Sequence, residues 1–103
     1  MPGFYRNPEA VWREEDVPKE QAVKGLEQGE DVSDIGTSII LFHGEMHTLN
    51  ILGTEVWKLC EGRTMDEIVS ELKDSFEVEP AVLKKDINSF LINLKELGLV
   101  YEE

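Results

Sequence analysis

The sequence predicts an α+β fold in which a three-stranded antiparallel sheet is followed by a three-helix, winged-helix-like bundle. Three observations predict it. Thr37 to Leu49, TSIILF-HG-EMHTL, sets two β-prone runs on either side of a glycine. After Asn50 the apolar spacing changes from two residues to three and four. The last apolar stripe, Leu83 to Leu97, is the longest and stops at Gly98.

Ala10 to Glu15, AVWREE, opens apolar and supplies the first strand. Asp16 to Asp34 is polar and acidic. Within it PKEQAVKGLEQG has Pro18 where a helix starts, Gly29 past an end, and Ala22, Val23 and Leu26 as a thin apolar side. That side is too weak for a core helix, so the stretch reads as a loop or a surface helix between strands. Thr37 to Phe42 and Glu45 to Leu49 form a hairpin, with Gly44 free to take a positive φ. Two strands alone are marginal, and the segment around Val11 and Trp12 completes the sheet.

Asn50 can cap a first helix from Ile51, with Leu52, Val56, Leu59 and Cys60 near one face and Gly62 as its left-handed stop. Thr64-Met65-Asp66-Glu67 is a capping box for a second helix carrying Met65, Ile68, Val69, Leu72 and Phe76. Pro80 suits the first residue of a third helix, whose stripe is Leu83, Ile87, Phe90, Leu91, Leu94 and Leu97. Leu99, Val100 and Tyr101 read as a short apolar tail.

A length of 103 residues reads as one domain, 1–103, with a modest core. The 22 acids and 10 bases give −12, shared equally between residues 1–50 and 51–103. A surface so charged repels phosphate backbones and anionic lipid and favours basic partners. One cysteine permits no internal disulfide. The start MPGFYRNPEA lacks a signal-peptide pattern and no apolar run approaches 18 residues, so the expectation is a cytoplasmic protein with no membrane contact.

The chemistry-bearing residues do not assemble into an active site. Cys60 falls on the apolar stripe of the first helix, where a thiol acts as a small hydrophobe. His43 and His47 flank the hairpin turn, but two histidines lack the further ligands of a structural zinc site. No Ser-His-Asp order, HExxH motif or phosphate-cradling glycine loop is present. The reading is therefore no enzyme, no catalytic residues, no metal and no cofactor. The alternative function is a winged-helix regulator that binds nucleic acid or another regulator. Against nucleic acid, Lys84, Lys85 and Lys95 are diluted by Asp86 and Glu96 in a molecule at −12. Peptide binding fits better: Met46 and Thr48 in EMHTL suit a half-exposed sheet edge that accepts an extended chain. Val82 and Ile92 add apolar surface beyond the core line of the third helix.

The order and spacing of several short motifs carry a resemblance. These are Leu49-Asn50, the helix with Trp57 and Leu59 ending in Glu61-Gly62, and Thr64 with Glu67-Ile68-Val69. Asp86 with Phe90-Leu91, Leu94 and Gly98-Leu99-Val100 complete the set. From His47 to Val100 the chain resembles the PqqD family, the small peptide chaperones of pyrroloquinoline quinone biosynthesis and their relatives, called RiPP recognition elements. The resemblance implies a non-catalytic protein that captures the leader of a ribosomally made precursor peptide and presents its core to a radical SAM enzyme. It also implies that the leader adds as a strand to the third strand, Glu45 to Leu49, in a cleft against the third helix, Ala81 to Leu97. Met46, His47, Thr48 and Leu49 would then supply main-chain bonds, and Lys84, Lys85, Asn88, Leu91 and Ile92 side-chain contacts, with core packing competing for Leu91. The lysines would meet acidic leader residues. Residues 16–34 are an acidic insertion relative to the shortest family members. The expected oligomeric state is a monomer or weak homodimer, since an edge that accepts peptide can also accept a second copy.

Overall fold

In the computed structural model, which describes residues 2–76 and 78–103, the elements run β1 (Phe4–Arg6), β2 (Val11–Glu14), α1 (Asp16–Glu27), β3 (Ser38–Phe42) and β4 (Glu45–Leu49). They continue with α2 (Ile51–Leu59), β5 (Glu61–Arg63), α3 (Met65–Leu72), α4 (Pro80–Glu96) and β6 (Val100–Glu102). This corrects the predicted fold class. The described residues form two three-stranded antiparallel sheets and four helices, not one sheet followed by a three-helix bundle.

The expected sheet is present in the order β2-β3-β4. The second, β5-β1-β6, joins the start of the chain to its end. Its strands are three residues each, too short to show a period. Tyr5 and Tyr101, directly opposite each other, stack at 5.5 Å between ring centroids. Gly62 is a strand residue rather than a helix stop. Its φ is +93°, and β1 slips register against β5 between Phe4 and Tyr5. A Cβ built on Gly3 would lie 2.2 Å from the Gly62 carbonyl oxygen, so the chain just before β1 runs close against β5.

The acidic segment contains a twelve-residue helix, α1, over Asp16–Glu27. Its buried residues are Ala22 and Gly25, and a Cβ on Gly25 would meet the Val32 side chain at 2.4 Å. Small residues make that contact, which is why a search for large apolar side chains underestimates it. Gly29 N–H bonds to the Leu26 carbonyl and Glu30 N–H to the Gly25 carbonyl, closing the helix in a Schellman motif.

Two compact units result. One comprises the chain through Asn7 together with Glu55–Glu103, the other Pro8–Thr54, so the boundary falls inside α2. In the second unit Ala22, Val32, Ile40, Phe42, Leu49 and Ile51 are buried. Thr37, Ser38 and Thr54 are buried too, and their hydroxyls satisfy one another: Thr54 Oγ1 lies 2.7 Å from both Thr37 Oγ1 and Ser38 Oγ. Asn50 caps α2 as expected, its side-chain oxygen accepting from the Gly53 N–H at 2.9 Å.

In the first unit Trp57, Ile68, Leu83, Ile87, Leu91, Leu94 and Leu99 are fully buried. Arg6 on β1 closes the end of α2, donating to the carbonyls of Trp57 and Lys58 at 3.0 and 2.8 Å and to Glu61 at 2.6 Å. A helix leaves its last carbonyls without α-helical partners, and here the Trp57 carbonyl accepts from the Cys60 N–H at 3.2 Å as well as from Arg6. The bond and charge of Arg6, aided by Arg63, hold the Glu61 carboxyl below its usual range. The Schellman motif at Gly98 ends α4: Gly98 N–H bonds to the Lys95 carbonyl and Leu99 N–H to the Leu94 carbonyl, both at 3.0 Å.

The capping box of α3 forms with both halves in place. Glu67 N–H donates to Thr64 Oγ1 at 3.2 Å, and Thr64 N–H to Glu67 Oε1 at 2.8 Å. Thr64→Ala should therefore cost about 1 kcal/mol in chemical denaturation. The bonds from Thr64 lower the Glu67 pKa. Its share of stability is present above the unfolded carboxylate pKa and lost as the pH falls through the lowered folded value.

Candidate functional site

Two surfaces, one on each unit, carry the residues nominated from sequence. On the Pro8–Thr54 unit the surface is β4. Its hairpin to β3 turns through His43 and Gly44, with φ of +49° and +79°, as a two-residue type I′ loop requires. Such a loop makes its flanking residues, Phe42 and Glu45, a pair that exchanges both main-chain bonds. From there the ladder alternates. Glu45, His47 and Leu49 turn their N–H and C=O toward β3, whereas Met46 and Thr48 turn theirs away. Among the described residues β4 pairs with β3 alone, so the groups of Met46 and Thr48 lie on an open edge.

Side chains alternate in the same rhythm. Leu49 is buried and His47 half-buried on the inner face, where His47 Nε2 lies 3.7 Å from Glu45 Oε2. Met46 and Thr48 are exposed on the outer face. His43 lies 3.6 Å from Glu9, so the two histidines face separate carboxylates.

On the other unit the surface is a cleft of about 370 Å³ beside α4. Phe4, Met65, Leu91 and Ile92 give it an apolar lining, and Asn88 a neutral polar one. Two ion pairs border it: Lys84 to Asp66 at 3.5 Å and Lys95 to Glu102 at 3.0 Å. Four of the five residues nominated on this helix, Lys84, Asn88, Leu91 and Ile92, line the cleft. Leu91 is 1% exposed, so its side chain serves the core while bordering the opening. Lys85 is exposed and is not part of the lining. Sequence reasoning missed Phe4, Met65, Asp66, Lys95 and Glu102. The capping box places Met65 and Asp66 at the start of α3, but nothing local in sequence brings β1 or β6 beside α4.

Cys60 offers no reactive group. It is buried, its Sγ donates to the Val56 carbonyl at 3.2 Å, and burial pushes its pKa from 9.0 up to about 12 against the opposing charge of Arg6. A disulfide reagent at pH 8 should label Cys60 only as fast as the protein unfolds; rapid labelling of folded protein would contradict this. The stability contributed by the neutral thiol is complete below pH 9 and is lost as the pH rises toward about 12. Among the described residues no group of three or more His, Cys, Asp and Glu side chains is placed to hold a metal ion, and no helix is long and apolar enough to cross a membrane.

The family of Coenzyme PQQ synthesis protein D (PqqD) matches residues 26–100. The chain belongs to the PqqD family. PqqD-family proteins are non-catalytic chaperones, and this one is non-catalytic with them. The matched span takes in β4, α2, α3 and α4 and begins near the end of α1. Two solved structures share the fold. One is TbiB1 in complex with the TbiA(beta) leader peptide, at a TM-score of 0.68 and 19% identity, covering 93% of each chain. The other is a lasso peptide synthetase B1 complexed with the leader peptide, at 0.67 and 21%, covering 95% of this chain and 96% of that one. No curated protein matches the sequence.

Proposed function

We propose that this PqqD-family protein binds the leader of a ribosomally made precursor peptide and presents the peptide to a radical SAM enzyme that modifies it. The observation that carries the reading is the open edge of β4, with the main-chain groups of Met46 and Thr48 turned outward. An extended peptide satisfies those groups by joining the sheet, which needs no side-chain match and suits a protein that must hold a chain without altering it. Family membership supports the reading, as do two proteins of the same fold that hold leader peptides.

In this account Met46, His47, Thr48 and Leu49 form the docking strand, with Met46 and Thr48 giving the bonds. Lys84, Asn88, Leu91 and Ile92 engage a further part of the leader in the cleft beside α4, and Lys85 contacts it from the exposed side of the same helix. The protein acts in the cytoplasm as a monomer or weak homodimer.

The test is calorimetric titration with a synthetic leader from the precursor gene that accompanies the protein's own. Saturable one-to-one binding is expected. The pair Lys84→Glu and Lys85→Glu should weaken it about tenfold, most of all at low salt, because both lysines are exposed and screened. Unchanged affinity would remove the lysines from the site. Absence of any binding would refute the function.

A further inference from the structure

The outer face of the β2-β3-β4 sheet carries an unusual row. Val11, Leu41 and Met46 are direct cross-strand partners, Val11 with Leu41 and Leu41 with Met46. All three therefore project from the same face, and they are 66%, 52% and 66% exposed. An apolar row left open across three strands needs an explanation, since exposed apolar side chains are normally scattered singly. Its position supplies one: the row ends at Met46, on the edge strand. A fourth strand would carry it on.

We propose that this row selects the bound peptide, requiring an apolar side chain at the leader position opposite Met46. The inference rests on the leader-binding reading and adds a specificity rule to it. Main-chain bonds at Met46 and Thr48 fix which peptide residues lie opposite them, and a directly opposed side chain shares the outer face with Met46. A β-branched or aromatic residue there covers Met46 and extends the row to four strands. A polar residue leaves it open. The peptide residue between those opposite Met46 and Thr48 points to the other face and is not subject to this rule.

Charge decides the occupant. The Pro8–Thr54 unit carries ten acids and three Lys or Arg. A second copy would bring the same excess to the same edge. A strand without carboxylates, flanked by lysine or arginine, brings none.

The test uses the full chain and two peptides, acetyl-KTVTVTK-amide and acetyl-KTSTSTK-amide, followed by NMR. Both should perturb the Met46 and Thr48 amides. The valine peptide should also shift the methyl signals of Leu41 and Met46 and bind about fivefold more tightly, as one or two cross-strand pairs allow. Met46→Thr should abolish that preference while the perturbation at residue 48 persists. Equal binding of the two peptides by the unaltered protein overturns the specificity rule and leaves leader binding standing. If neither these peptides nor the accompanying precursor's leader perturbs the Met46 and Thr48 amides, the edge is not a docking strand and both readings fall.

Discussion

Trp57→Ala should lower the free energy of unfolding by about 4 kcal/mol, a large part of the roughly 5–15 kcal/mol available to a domain. Trp57 is fully buried on α2, and its backbone carbonyl accepts from Arg6, whose guanidinium also sits 5.9 Å from the indole centroid. Removing the ring leaves a cavity that the neighbouring elements can fill only partly, and it takes away the surface beneath Arg6. The check is a urea titration followed by circular dichroism. The midpoint should fall while the slope stays unchanged; a loss below about 1 kcal/mol would mean that the core does not depend on the buried Trp57 ring.

The second large effect concerns binding and separates two adjacent residues. Thr48→Pro removes an N–H that faces the open edge, whereas His47→Pro removes one that bonds to β3. The first variant should fold within about 1 kcal/mol of the original, because proline is tolerated on an edge strand when its missing N–H faces outward. It should nevertheless bind leader at least about tenfold more weakly, having lost a main-chain donor and gained a ring where the incoming strand must sit. The second should lose about 3 kcal/mol of stability. Thermal denaturation and leader titration on both variants read out the contrast. If Thr48→Pro unfolds and His47→Pro does not, the alternation assigned to β4 is reversed.

Much of this arrangement was legible in the chain because its signals are local. The turn at Gly44, the Asn50 cap, the Thr64–Glu67 box, Pro80 at the start of α4 and Gly98 past its end each depend on a few neighbouring residues, and each stands where the sequence placed it. The second sheet was not legible. Phe4-Tyr5-Arg6, Glu61-Gly62-Arg63 and Val100-Tyr101-Glu102 are strands only because segments about 60 and 100 residues apart meet, and three residues have no measurable period. Gly62 misled for a related reason: its positive φ was anticipated, but a glycine that ends a helix and one that lets strands close up look alike in sequence. Helix α1 was undervalued because Ala22 and Gly25 make its buried face.

The candidate site divides along the same line. The family resemblance pointed to five residues of α4, and four of them, including the core residue Leu91, line the cleft. The rest of that cleft comes from β1, β6 and the start of α3. The outer row of Val11, Leu41 and Met46 could be named only once the register between strands was known, since these residues are unremarkable singly.

The proposed docking of a leader peptide as a strand on the open edge of β4 can be read at single amides. Amide hydrogen exchange of the full chain, with and without the leader, tests it most directly. Protection should rise at Met46 and Thr48, whose N–H groups face outward, and stay nearly constant at His47 and Leu49, already bonded to β3. Saturable binding with no added protection at Met46 or Thr48 would contradict it.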